Sequence, residues 1–166
     1  FEGEEFAAST PFQYFADHED PEMARAVSAG RKREFAAFGF AERDVPDPEE
    51  RETFERSKLN WSEPETGRHA EMLDWYRRLI RLRRRSPSLN DGDMGHVVVG
   101  YDEQRRWLTM DRGDVRVVLN LGQEAVVLDA PDGMRIALAS RAGVRVSSGK
   151  VSLPSIALAV LMREAE

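Results

Sequence analysis

Two neighbouring acids, Glu4 and Glu5, follow Gly3 close to the start of the chain. Adjacent carboxylates raise one another's pKa, which is the usual route to a general acid or base. The plainer use of such a pair is structural, with at least one of them hydrogen-bonded to hold a loop, and this reading carries more weight than reaction. Next comes Phe12-Gln13-Tyr14-Phe15-Ala16-Asp17, in which flat apolar faces alternate with groups able to hydrogen-bond. Such a mixture can bind a ligand with two kinds of surface, or it can anchor a loop in a core; the core is favoured for at least one of the three rings. Asp17, His18 and Asp20 have the composition of a metal site, but Asp20 is better used as a helix cap and the three lack a partner cluster, so no metal is expected. The arginines between Arg77 and Arg85 are read as a solvated helix face with favourable charge at its negative end, in preference to an RNA surface.

These groups need elements to position them. Asp20-Pro21 is a helix start, since the Asp oxygen accepts an orphan N–H and the Pro has none to lose. The helix carries Met23, Val27, Phe35 and Phe38 near one face and stops at Gly39. Asp47-Pro48 repeats the signal and opens a shorter, charged segment over Glu49–Lys58, with Phe54 and Leu59 turned inward. Ser62 and Glu65 have capping-box spacing ahead of a third helix, whose wide apolar stripe runs through Met72, Leu73, Trp75, Tyr76, Leu79, Ile80 and Leu82. After Ser86-Pro87-Ser88 and Asn90-Asp91-Gly92 the period changes to two. Short strands are expected at His96–Tyr101, Trp107–Asp111, Val115–Leu121, Ala125–Leu128, Arg135–Ala139, Val144–Val146, Lys150–Leu153 and Ile156–Met162, separated by turn residues. Seven or eight strands at this spacing indicate an antiparallel β-sandwich.

Composition narrows the function classes. The chain has 166 residues, 41% of them hydrophobic, enough for a real core. A net charge of −6 argues against binding a phosphate backbone. There is no cysteine, hence no disulfide framework and no thiolate chemistry, which suits a bacterial cytoplasmic protein or a heat-adapted one. No apolar run approaches the roughly 18 residues that span a bilayer, so no membrane partner is expected. Phe1 has no preceding Met, and Phe1–Phe6 reads as the middle of a structural element, so an upstream part is expected.

Phe1-Glu2-Gly3-Glu4-Glu5 resembles the end of the eighth barrel strand in the α-amylase superfamily. The order that follows is Ala8-Ser9-Thr10-Pro11-Phe12-Gln13-Tyr14-Phe15-Ala16-Asp17-His18, Arg25-Ala26-Val27, Gly30-Arg31 and Glu34-Phe35. Together with Phe54-Glu55-Arg56-Ser57-Lys58-Leu59-Asn60-Trp61 and Trp75-Tyr76-Arg77-Arg78-Leu79-Ile80-Arg81-Leu82-Arg83, it is similar to the malto-oligosyltrehalose trehalohydrolase family. The resemblance implies an α+β chain: residues 1–91 as the closing end of a (β/α)8 barrel, mainly helical, and residues 92–166 as a C-terminal antiparallel β-sandwich domain. It implies a retaining glycoside hydrolase that cuts the α-1,4 bond next to the trehalose end of malto-oligosyltrehalose. Such chemistry needs two carboxylates about 5 Å apart. The family places them on strands four and five, with a further Asp after strand seven, all upstream of Phe1. No catalytic residue is therefore expected here, and the isolated chain is expected to be inactive.

A loop leaving a barrel strand's C-terminal end faces the catalytic mouth. By resemblance, then, Glu5, Phe12, Tyr14, Phe15 and Asp17 are the expected substrate-binding residues, aromatic faces stacking on sugar rings and polar groups meeting hydroxyls. The expected partners are malto-oligosyltrehalose, related α-glucans and the upstream part of the same barrel, with no cofactor, no metal and no nucleic acid. In the β domain, His96, Tyr101 and Trp107 are read as packing residues before they are read as a sugar site. Two alternatives stay open: a related α-glucan debranching or branching enzyme, and a non-catalytic carbohydrate-binding module.

Overall fold

A computed structural model describes residues 2–163, so Phe1 of the first motif lies outside the described residues. The chain divides into two compact units, residues 1–76 and 77–166, with the division falling inside a helix.

The first unit is helical. A 3-10 turn, Glu4–Phe6, lies between Gly3 and Ala7, both in the left-handed region with φ of 79° and 53°. Helix α1 spans Pro21–Ala36, and the Asp20 side chain accepts the Glu22 N–H at 2.8 Å, as the sequence indicates. Helix α2 spans Arg51–Ser57. It begins later than the Asp47-Pro48 signal: residues 47–50 first close a turn, Glu50 N–H donating to Asp47 O at 3.3 Å, while the Asp47 carboxylate accepts from Ser28 Oγ at 2.5 Å and Glu49 N–H at 3.1 Å. Helix α3 spans Gly67–Arg85. The expected capping box does not form: Ser62 donates its hydroxyl to Asn60 Oδ1 at 2.8 Å, and residues Glu63–Glu65 make a separate 3-10 turn ahead of the helix. A side chain committed to the preceding turn cannot also cap the next one.

Neither α1 nor α3 has a buried residue. Met23 and Phe38 of the α1 region are 50% and 75% exposed, so the amphipathic stripe that the sequence shows is uncovered here. Phe6, in contrast, is 1% exposed, and Val45, Pro48 and Thr53 of the same unit are buried as well.

The second unit holds eight strands: β1 Val97–Asp102, β2 Trp107–Arg112, β3 Val115–Asn120, β4 Val126–Asp129, β5 Met134–Ala139, β6 Arg145–Ser147, β7 Lys150–Leu153 and β8 Ala157–Arg163. All eight lie within two residues or so of the sequence expectation. They form a five-stranded sheet in the order β1-β2-β3-β8-β5 and a three-stranded sheet in the order β4-β7-β6, every pairing antiparallel. Between the sheets lies one core, with Val118, Ala157, Ala159 and Leu161 from the first and Val126, Val151 and Leu153 from the second. Trp107 packs against it, in keeping with its reading as a packing residue.

One polar side chain is sealed within this unit. Asn120 is fully buried; its Nδ2 donates to Glu124 O and Pro154 O, both at 2.8 Å, and its Oδ1 accepts from Gly122 N–H at 2.9 Å. The three bonds tie the end of β3 to its own outgoing loop and to the β7–β8 turn. A buried amide is stable only when so satisfied.

Candidate functional site

The loop over residues 7–19 owes its path to a series of bonds with residues 47–63. Ser9 donates both its backbone N–H and its hydroxyl to the Glu63 carboxylate. Ala16 N–H donates to Pro48 O at 2.8 Å. His18 gives its N–H to Glu49 Oε2 at 3.1 Å, and its ring Nδ1 sits 2.7 Å from Oε1 of the same carboxylate. At the root of the loop, His69 Nδ1 donates to Phe6 O at 2.9 Å and Tyr76 donates its phenol to Glu4 Oε1 at 3.0 Å.

These bonds set the charges. The hydroxyl and amide of Ser9 hold the Glu63 carboxyl below its ordinary value, and donation to Glu4 raises the Tyr76 phenol. Burial pushes Asp47 upward, but Ser28, the Glu49 N–H and Lys32, whose Nζ is 3.5 Å away, more than offset it, leaving the group low. Glu63 and Asp47 are thus held as anions: Glu63 fastens the loop through Ser9, and Asp47 ties α1 to the segment ahead of α2.

Gly3 is fixed by close approach. A Cβ there would stand 2.7 Å from the Ala8 Cβ and 2.8 Å from Leu59 Cδ2, and its φ of +79° already favours glycine. Only a hydrogen at this position leaves room for Ala8 and for Leu59 of the segment after α2.

Two cavities adjoin across the Phe15 and Phe54 rings, which meet edge to face at 5.1 Å and 67°. One, about 520 Å3, is lined by Glu5, Phe15, Phe54, Lys58 and Trp61; the other, about 600 Å3, by Phe15, Asp17, Glu49, Arg51 and Phe54. Half-buried Glu5 has no hydrogen-bond or ion-pair partner among the described residues, and exposed Asp17 has none either. Three of the five expected residues, Glu5, Phe15 and Asp17, thus share this paired site.

Phe12 and Tyr14 lie elsewhere, in a groove of about 300 Å3 with Phe35, Phe40 and Arg31. The Arg31 guanidinium stands 5.1 Å from the Tyr14 ring centroid and 4.7 Å from that of Phe35. Tyr14 therefore already serves as a cation–π partner. His18 and Asp20, the other metal-like groups, are used by Glu49 and by the α1 cap.

The paired site also contains residues that the sequence reading did not assign to it. The sequence turns Phe54 inward, whereas its ring is 40% exposed and borders the cavities, and Lys58 and Trp61 stand out in the sequence only within a motif. Lys58 Nζ lies 4.7 Å from the Phe54 ring centroid and 2.6 Å from Glu55 Oε2. Rings, a carboxylate and an ammonium around one cavity suit a ligand with apolar faces and hydroxyl edges.

Residues 92–160 match a family model described as a domain of unknown function, DUF3459. The malto-oligosyltrehalose trehalohydrolase of Rhizobium sp. (strain M-11) is 44% identical over 161 residues, 97% of this chain and 27% of the relative. That of Deinococcus radiodurans is 50% identical over 127 residues, 75% of this chain and 21% of the relative. Among solved structures, a putative alpha amylase from Salmonella typhimurium superposes with a TM-score of 0.77 at 31% identity, covering 98% of this chain and 27% of that one. The chain spans about a quarter of the length of the curated relatives it matches. With identities of 44% over nearly the whole chain and 50% over three quarters of it, the chain belongs to the malto-oligosyltrehalose trehalohydrolase family.

Proposed function

We propose that the protein carrying this chain is a retaining glycoside hydrolase that cleaves the α-1,4-glucosidic bond next to the trehalose end of malto-oligosyltrehalose and releases trehalose. The observation that carries this reading is identity of 44% over nearly the whole chain to a relative of that name. In this reading residues 1–91 are the closing end of a (β/α)8 barrel and residues 92–166 a C-terminal β-sandwich domain. The barrel assignment is supported by α1 and α3, amphipathic helices without a single buried residue, whose apolar stripes call for further elements to cover them. The domain start is supported by the family model, which begins at residue 92.

The chain's own part is substrate binding. Glu5, Phe15 and Asp17 form the paired cavity at the end of the eighth barrel strand, and Phe12 and Tyr14 the neighbouring groove, while the reacting carboxylates come from upstream strands. The cytoplasm is the proposed site of action, in accord with a cysteine-free composition.

The test is to assay the full-length protein and this 166-residue chain on purified malto-oligosyltrehalose. Trehalose release by the former alone is the expected result. Release by the mass-verified chain alone overturns the division of labour. Debranching of branched α-glucan without trehalose release by the full-length protein overturns the substrate assignment.

A further inference from the structure

Trp61 stands in the corner of a turn. Asn60 Oδ1 accepts from Ser62 N–H at 3.2 Å and from Ser62 Oγ at 2.8 Å, while Glu63 N–H returns to Asn60 O at 3.1 Å. This hydrogen-bonded corner fixes the backbone that carries the indole. Only part of the ring is used in packing: it meets Phe6 at 6.0 Å and a 46° tilt, yet Trp61 remains 69% exposed.

The exposed indole lines the cavity of about 520 Å3 that also contains Glu5, Phe15, Phe54 and Lys58. The volume falls in the range of roughly 300–1,000 Å3 typical of small-ligand sites. Phe54 and Phe15 meet edge to face and Lys58 lies over the Phe54 ring, and each phenylalanine is 40% exposed against 69% for Trp61. Trp61 has the largest uncommitted aromatic face in this cavity. Its unused area faces a space whose polar lining includes the Glu2 and Glu5 carboxylates, the Ser57 hydroxyl and the Lys58 ammonium.

We infer that Trp61 is the stacking platform of this cavity for a glucosyl ring of the substrate, with Glu5 accepting from a ring hydroxyl beside it. The inference rests on the proposed function for the class of ligand, and on the geometry for the residue. A pyranose presents C–H groups on its faces and hydroxyls around its rim, so an indole plane flanked by a carboxylate meets both. Stacking on the face of a ring strengthens ground state and transition state alike, so the contact appears in KM before kcat.

The experiment uses the full-length enzyme and malto-oligosyltrehalose. Trp61→Ala should raise KM about tenfold or more with kcat within about threefold of wild type, and Trp61→Phe, which keeps a ring, should recover most of the loss. An unchanged KM in folded Trp61→Ala overturns the assignment, as does a loss confined to kcat. Should Trp61→Ala fail to fold, 5-fluorotryptophan labelling of the wild type, with the Trp61 resonance identified through Trp61→Phe, gives a second readout. That resonance must shift on addition of maltotriose, and its failure to do so overturns the platform. Wild-type enzyme that releases no trehalose overturns the functional reading, whereas an active wild type with an indifferent Trp61 overturns this inference alone.

Discussion

Replacing Asn120 by Ala removes a buried amide and leaves three backbone groups without their partner: Glu124 O, Pro154 O and Gly122 N–H. The fourth contact, to Leu153 O at 3.5 Å, is too long to add much. At a net worth of about 1 kcal/mol per hydrogen bond, the three good bonds give a loss of about 3 kcal/mol. With a urea m-value of about 1.5 kcal/mol/M, such a loss moves the unfolding midpoint down by about 2 M. Urea titration of the 166-residue chain, followed by hydrogen exchange at β3 and β8 amides, reads it for this unit specifically. Asn120→Asp goes further, because a buried carboxylate would face two carbonyl oxygens that now accept at 2.8 Å. Its folded-state pKa must rise above the unfolded value, so the penalty is full at neutral pH and shrinks as pH falls through the raised folded value. An Asn120→Ala midpoint within about 0.3 M of wild type, or an Asn120→Asp protein more stable than Asn120→Ala at pH 7, would refute the reasoning.

Gly3→Ala should cost about 2–3 kcal/mol, from a left-handed φ and a Cβ pressed on Ala8 and Leu59, measured as a fall in melting temperature of the full-length enzyme. Glu63 has its carboxyl lowered by Ser9, so its hold on the loop is complete above the unfolded carboxyl value and is lost as pH falls through the folded one. The Ser9 amide should therefore lose exchange protection, after correction for intrinsic rate, on acidification in wild type but not in Glu63→Gln; a flat wild-type profile contradicts this. In the full-length enzyme, Phe15→Ala and Asp17→Ala should lower kcat/KM on malto-oligosyltrehalose about tenfold, or about 1.4 kcal/mol, and Tyr14→Ala less, because Arg31 already occupies its face. Folded Phe15 and Asp17 variants with wild-type kinetics would make the loop a structural closure.

The strands were legible because each is a short apolar alternation bounded by Gly, Asp or Ser, a signal internal to a few residues. The α1 start was legible for the same reason, since Asp20 and Pro21 act within one turn. What the sequence did not reveal depends on distant neighbours. Ser62 has two local partners to choose from, and nothing in the spacing says that Asn60 wins over the helix. Asn120 reads as a strand-end polar residue, and its burial follows from the β7–β8 turn more than thirty residues away. The five expected site residues divided because Tyr14 and Phe15, successive along an extended loop, face different neighbours: Arg31 for the first and Phe54 for the second. Trp61 joins Glu5 through the fit of Leu59 against Gly3, a contact that no periodicity records.

The fastening of the 7–19 loop separates two evolutionary pressures. Its path depends on Ser9, on the Ala16 amide and on His18, all secured to residues 47–63. The side chains of Phe15 and Asp17, which face the cavity, make none of those bonds. Substitutions there can therefore be sampled without unravelling the loop, and a change of ligand preference need not wait for a compensating repair of its backbone. A protein engineer could vary positions 15 and 17 together while leaving Ser9, His18, Glu49 and Glu63 untouched, and expect most members of such a library to keep the loop in place.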